Sequence, residues 1–214
     1  MMNIEKTIEA LKANRMEVYY VQTPEEAKAL ALSMIPEGSS CANGGSVTLT
    51  QTGIMDALKN GNYLYIDRME PGITQEQKEE AMRAAFSTDF YLASANAITE
   101  NGELYNVDGN SNRVAALLYG AKNVIVVAGT NKLVKNLDEA VLRVKTVAAP
   151  KNAVRLSCNT PCAKLGHCIS LERNGGMTDG CMTPGRICAN YTVMAYQRHV
   201  NRIKVILVGT ELGY

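Results

Sequence analysis

Residues 111–129, SNRVAALLYGAKNVIVVAG, decide the fold class. The first half places apolar residues at helical spacing and stops at Gly120, a residue suited to ending a helix. The second half, NVIVVAG, is an almost pure aliphatic run without polar alternation. That is the composition of a strand covered on both faces, as in a parallel sheet.

Working outward, the same alternation recurs. IEKTIEALKANR reads as an amphipathic helix leading into the strand MEVYYV; TPEEAKALALSMI is a helix with Thr23 at the N-cap, Pro24 at N1 and acids in its first turn. SSCANGGSVTLTQTGIMDALKNG reads as a strand, a turn at Gly44 and Gly45, and one amphipathic helix; YLYID is the next strand. ITQEQKEEAMRAAFS is a helix capped by Thr74 and feeds the strand FYLASANAI. AIT and ELYNV flank Asn101-Gly102, the dipeptide of a tight hairpin turn with positive φ at both central positions. NLDEAVLRVKTVAA is a further helix, and RIKVILVG closes the sheet. The pattern specifies a layered α/β fold built on a mostly parallel sheet.

The chain has 214 residues, of which 46% are hydrophobic, enough for one main core, and residues 1–214 are expected to form a single domain. A net charge of +1 gives no electrostatic footprint for nucleic acid or an anionic membrane. No apolar run approaches the roughly 20 residues that span a bilayer. The N-terminus lacks a secretory apolar core, so a cytoplasmic location is expected.

Five of the six cysteines, Cys158, Cys162, Cys168, Cys181 and Cys188, crowd into residues 157–190, a segment rich in Gly, Pro and Asn that reads as an insertion before the last strand. Turns of this composition fold thiolates back toward one point, which marks the five as candidate ligands of a metal ion or iron–sulfur cluster. Disulfides fit poorly with a reducing compartment. Buried unligated thiols are the other alternative. The spacing matches neither standard zinc-finger nor ferredoxin patterns, so the ion stays open. His167 lies in the same run as a candidate mixed ligand. His199 reads as a solvated loop residue and the isolated Cys41 as a small buried hydrophobe.

Two polar constellations are candidate small-molecule sites. Asn43, Gly44, Gly45, Ser46 and Thr48 follow a strand, where backbone amides and hydroxyls could hold a phosphate or carboxylate. Asp108, Asn110 and Arg113 fall beside the hairpin, with Asn110 or Ser111 capping the next helix and Arg113 able to grip a carboxylate with two prongs. Each has a plain alternative: helix capping for the first, capping and an exposed ion pair for the second.

SANAITENGELYNVDGNSNRVAALLYGAKNVIVVAGTNKLV resembles the core of the LUD (lactate utilisation, DUF162) family. With NTPC, LGHC, DGCMTPGRICAN and RIKVILVGTELGY, the chain resembles that family's cysteine-bearing branch. The resemblance implies the three-layer, Rossmann-like fold of ribose-5-phosphate isomerase and type I CoA transferases. It also implies a role in lactate or related hydroxy-acid utilisation. In methylthioribose-1-phosphate isomerase, which the hairpin region is similar to, a catalytic Asp falls where this chain has Asn96. Asn96 cannot titrate, which leaves it as a ligand-binding candidate only. Thr99-Glu100-Asn101-Gly102 is similar to the nucleophile phrase of CoA transferases, but the Asn-Gly signal puts Glu100 at a solvated hairpin tip.

These readings leave open a metal- or cluster-bearing component of hydroxy-acid oxidation, a structural zinc site, an anion-binding enzyme or sensor, and a non-catalytic subunit assembled with an oxidoreductase partner. A homo-oligomer is expected, because two N-terminal apolar stripes would serve a dimer as readily as a core.

Overall fold

The computed structural model describes residues 3–214; Met1 and Met2 lie outside the described residues. The elements follow the alternation of the sequence. They begin with helix α1 (Ile4–Ala13), strand β1 (Glu17–Val21), α2 (Pro24–Ser33) and β2 (Ser40–Asn43). Two short helices come next, α3 (Val47–Gln51) and α4 (Ile54–Asn60), then β3 (Leu64–Ile66), α5 (Gln75–Ala84) and β4 (Phe90–Ala93). The hairpin β5 (Ala97–Thr99) and β6 (Leu104–Asp108) precedes α6 (Asn112–Leu118), β7 (Asn123–Gly129), β8 (Leu133–Val134) and α7 (Leu137–Arg143). The chain finishes with α8 (Ala149–Arg155), α9 (Pro161–Leu165), β9 (Asn190–Met194) and β10 (Ile203–Val208).

Six strands form one sheet in the order β1-β10-β7-β4-β2-β3, every neighbouring pair parallel. The strand NVIVVAG lies inside it, and its side chains divide by parity. Val124, Val126 and Ala128 join a core with Leu11 of α1 and Ala116 and Leu117 of α6. Ile125 and Val127 join a second core with Ala27 and Ala31 of α2, Leu49 of α3 and Leu58 of α4. Burial on both faces is why the run shows no alternation.

Local signals act as the sequence implies. Thr23 and Glu26 form a reciprocal capping box, and so do Thr74 and Gln77. The single helix expected after Gly45 is split, because Gly53 adopts φ 69° between α3 and α4. The expected hairpin forms, but with a different turn: only Gly102, at φ 76°, has positive φ, and Gly102 N donates to Thr99 O at 2.9 Å.

A second, four-stranded sheet was not anticipated. Its order is β8-β5-β6-β9, with β5 antiparallel to β6 and β6 antiparallel to β9. One face, through Ile98 and Leu104, joins the α1–α6 core. The other, through Ala97 and Tyr105, packs on Ala140 of α7 and on Val144 and Ala148 beyond it. The end of the cysteine segment is therefore tied into this sheet by β9. Among the described residues no helix is long and apolar enough to cross a membrane.

Gly102 is where hairpin and α1 meet. A Cβ there would stand 2.6 Å from Ala10 C and from Leu11 N. Gly72 also has positive φ, 84°, with nothing within 4 Å of such an atom. Gly72→Ala should cost about 1–2 kcal/mol of backbone strain. Gly102→Ala carries the same strain plus displacement of α1, and urea denaturation should show the larger loss; equal losses would remove the packing argument.

Candidate functional site

The cysteine segment folds over the outer face of the small sheet and the helices beside it. Cys162, Cys168, Cys181 and Cys188 line one cavity, together with Tyr105, Lys145, Met177 and Tyr191. Cys158 is not among them; its sulfur points toward Leu156 O, 3.9 Å away. His167 also faces elsewhere, pairing with Glu172 at 3.2 Å on the exposed surface. No cysteine is joined in a disulfide.

Three of the four sulfurs have a hydroxyl neighbour two residues away. Thr160 lies 3.3 Å from Cys162, Ser170 3.3 Å from Cys168 and Thr183 3.3 Å from Cys181. Such hydroxyls can donate to a thiolate and stabilise its charge. Burial raises the pKa of Cys162, the Thr160 hydroxyl lowers it, and Cys181, Cys188 and Cys168 push it up again, so the sulfurs lie within electrostatic reach of one another. As the side chains stand, however, no group of three or more His, Cys, Asp or Glu among the described residues is spaced to hold a metal ion.

One cation, Lys145, lines the cavity, and a second, Arg186, stands behind its wall. Lys145 is 5% exposed and donates to Ser170 Oγ at 2.8 Å and to Gly175 O at 3.1 Å. Arg186 donates to the carbonyls of Cys188 and Cys181 at 2.9 and 3.2 Å, fixing the chain on both sides of the last thiols. The buried hydroxyl of Tyr105, which has no partner, belongs to the cavity wall; burial, Tyr191 and Cys188 all raise its pKa. An unpaired buried hydroxyl costs about 1–3 kcal/mol, a reason to look for an acceptor there.

The polar constellations meet at the carboxyl ends of the central strands. Gly44 lets Arg113 cross the β2–α3 turn; a Cβ on it would lie 2.8 Å from Arg113 Cγ. Arg113 donates to Ser94 O, Asn106 Oδ1, Asn96 Oδ1 and Val107 O at 2.6–3.4 Å, and its Nε lies 3.4 Å from Asp108 Oδ2. Those contacts occupy the fork that was expected to hold a ligand. Asn96 Oδ1 also accepts from Val107 N at 2.9 Å, so it braces the hairpin. Asp108 takes the amide of Ser111, at 3.1 Å, while Asn110 is exposed and Ser111 sits at the cap position without a side-chain cap bond.

On the other side of the turn, Asn43 Nδ2 donates to Gly44 O at 2.8 Å, and Asn43 Oδ1 accepts from the Tyr65 hydroxyl. Ser46 caps α3 by accepting from Leu49 N at 3.2 Å. Thr48 is fully buried and accepts from Lys132 Nζ at 2.8 Å. Glu100, read as solvated, is instead docked on the start of α1, accepting from Asn3 N at 3.0 Å and Lys6 Nζ at 3.1 Å. Cys41 is fully buried, and burial with nearby Asp89 pushes its thiol up to about 11, an inert form.

Lys132 belongs to no motif in the sequence. It is 3% exposed, bonded at 2.8 Å to both Thr48 Oγ1 and Ser94 Oγ, and makes no ion pair with a carboxylate among the described residues. Burial, with Arg143 and Arg113 nearby, lowers its pKa to about 7. Its one signal is position, three residues past the end of the aliphatic strand.

The fold is of the parallel α/β class, with the polar residues gathered at the carboxyl ends of its strands, the edge at which such sheets commonly bind ligands. A family model for the LUD domain matches residues 4–208, and the chain belongs to that family. The structure is similar to a crystal structure of a DUF162 family protein from Deinococcus radiodurans, with 13% identity, 96% of each chain covered and a TM-score of 0.52. A weaker likeness is to the beta subunit of eIF2B from Chaetomium thermophilum, with 15% identity, 54% of this chain and 41% of that one covered, and a TM-score of 0.38. No protein with a curated function matches the chain significantly.

The Lys132 site has a definite pH signature. The unfolded lysine keeps its proton until about 10.5, whereas the folded one loses it near 7. The cost of burying the ammonium is thus complete below pH 7 and shrinks as pH rises, because the unfolded state binds more protons. Urea unfolding of wild type and Lys132→Met at pH 6.5, 7.5 and 8.5 should show wild type gaining stability relative to the variant, by up to about 1.4 kcal/mol per pH unit. Parallel profiles would show that Lys132 does not titrate there.

Proposed function

We propose that this LUD-family protein serves lactate or related hydroxy-acid utilisation and carries a thiolate-bound metal ion or iron–sulfur cluster at Cys162, Cys168, Cys181 and Cys188. The observation that supports it is the gathering of four thiols from distant points of one segment around a single cavity lined by Lys145. Buried thiols acting only as small hydrophobes have no need of paired hydroxyls or of a cation in the cavity wall. Four thiolates suit zinc or an iron–sulfur cluster, and a cluster when bound would supply one-electron transfer beside a hydroxy-acid oxidation.

The sulfurs must rotate to reach one guest. An off-rotamer side chain costs about 0.5–1.5 kcal/mol, whereas thiolate sites bind structural zinc with apparent free energies of about 10–16 kcal/mol. The gain therefore exceeds the cost of rearranging four side chains. Lys145 and Arg186 offset the negative charge that such a centre accumulates, and the Tyr105 hydroxyl would find its acceptor on a sulfur. Cys158 is left outside the ligand set, in contrast to the five-cysteine expectation.

Protein purified without oxygen should contain stoichiometric metal. Iron with sulfide supports an electron-carrying role; zinc alone supports a structural one, with a chelator lowering the melting temperature. Cys168→Ala and Cys181→Ala should lose the metal and Cys158→Ala should keep it. Metal-free protein under these conditions, or equal loading of all three variants, would overturn the assignment.

A further inference from the structure

Two further cations, Arg68 and Arg155, approach the β2–α3 turn at Gly45. A Cβ on Gly45 would be 3.0 Å from Arg68 Nη2 and 3.9 Å from Arg155 Nη2, so two guanidinium groups approach one point where the chain offers no side chain. Arg68 makes no hydrogen bond or ion pair among the described residues, and its Nε is buried without an acceptor. Arg155 stands on the exposed rim, held by Asn152 Oδ1, which accepts from its Nε at 3.0 Å and its Nη2 at 2.8 Å, and by the Tyr214 hydroxyl, which accepts from Nε at 2.8 Å; Nη1 and the second N–H of Nη2 remain for a ligand.

The surroundings are cationic. Arg113 feels the charge of Arg68, and Lys132 feels those of Arg143 and Arg113. Among the described residues, Asp108 pairs with Arg113, while Arg68, Lys132, Arg143 and Arg155 pair with no carboxylate. Two guanidiniums directed at one point, one of them with a buried and unanswered N–H, carry a desolvation cost that an anion with two or more oxygens removes. The planar fork of arginine is matched by carboxylate or phosphate.

We propose that a small anion bearing a carboxylate or phosphate group binds against Gly45 between the guanidinium groups of Arg68 and Arg155. Arg68 supplies the two-pronged contact from the buried side, and Arg155, positioned by Tyr214, closes the exposed side. Gly45 has no side chain to stand between the two guanidinium groups. This site shares no residue with the thiol cavity, and neither assignment depends on the other.

Isothermal titration at pH 7 would compare sodium phosphate, sodium L-lactate and sodium chloride at equal ionic strength on wild type, Arg68→Gln and Arg155→Gln, with circular dichroism confirming the fold. Wild type should bind phosphate, lactate or both saturably where chloride does not, and the tighter anion defines the ligand class. Each variant should bind at least about 10-fold more weakly, the effect of losing one charge-assisted hydrogen bond. If Arg68→Gln fails to fold, Arg68→Lys, which keeps the charge but not the fork, should show the same weakening. Binding no better than that of chloride, or wild-type affinity in the folded variants, overturns the proposal.

Discussion

The guanidinium of Arg113 holds the two sheets in register. It reaches Ser94 at the end of β4, Asn96 before β5, and Asn106 and Val107 in β6, with Asp108 beside it. One side chain therefore spans the point where the chain leaves the parallel sheet and enters the antiparallel one. Burial lowers the pKa of Arg113, opposed by the charge of Asp108. The cost of keeping a guanidinium there is offset by four hydrogen bonds from Nη1 and Nη2 and by the charge of Asp108 beside Nε, and removing an acceptor would leave a buried donor unanswered. The Gly44 turn can lie over it only because Gly44 has no side chain. The way the turn and the hairpin pack together thus follows from this one buried cation.

The sequence made the parallel sheet legible because its information is local. NVIVVAG declares a doubly covered strand, and the Thr23 and Thr74 capping boxes mark helix starts without reference to anything distant. The small sheet was not legible for the opposite reason. Its β9 strand, NYTVM, is half exposed and pairs with β6 from more than 80 residues away, through Asp108 and Asn190. A short edge strand beside a cysteine-rich loop has no periodicity strong enough to announce itself. The turn after Asn101 differed in type for a similar reason: Gly102 is constrained by α1 as well as by its own hairpin.

Site residues divide the same way. The glycine turn and the cysteine cluster were visible as composition, and the structure gathers four of those thiols around one cavity. Arg113 was visible as a residue but not as a brace, since its acceptors come from three segments. Arg68 and Lys132 carried no motif at all. A cation becomes informative only when the absence of a neighbouring carboxylate can be seen, and that is a property of packing.

The thiol cavity depends in turn on an irregularity written into the sequence. Between α7 and α8 the helix widens into a π turn over Val144–Ala148, and Ala149 N donates to Val144 O five residues back. The carbonyl of Lys145 would next take the amide of residue 150, but Pro150 has none. That carbonyl is left free, and Cys168 N binds it at 2.8 Å. The same Lys145 sends its ammonium to Ser170 and Gly175, so one residue anchors the cysteine segment through both backbone and side chain. A regular helix would have spent that carbonyl internally and left Cys168 without its anchor. Bulges of this kind recur at functional sites because they free a backbone group for use elsewhere. Here the freed group seats one of the four thiols, which links a single proline to the geometry of the cavity.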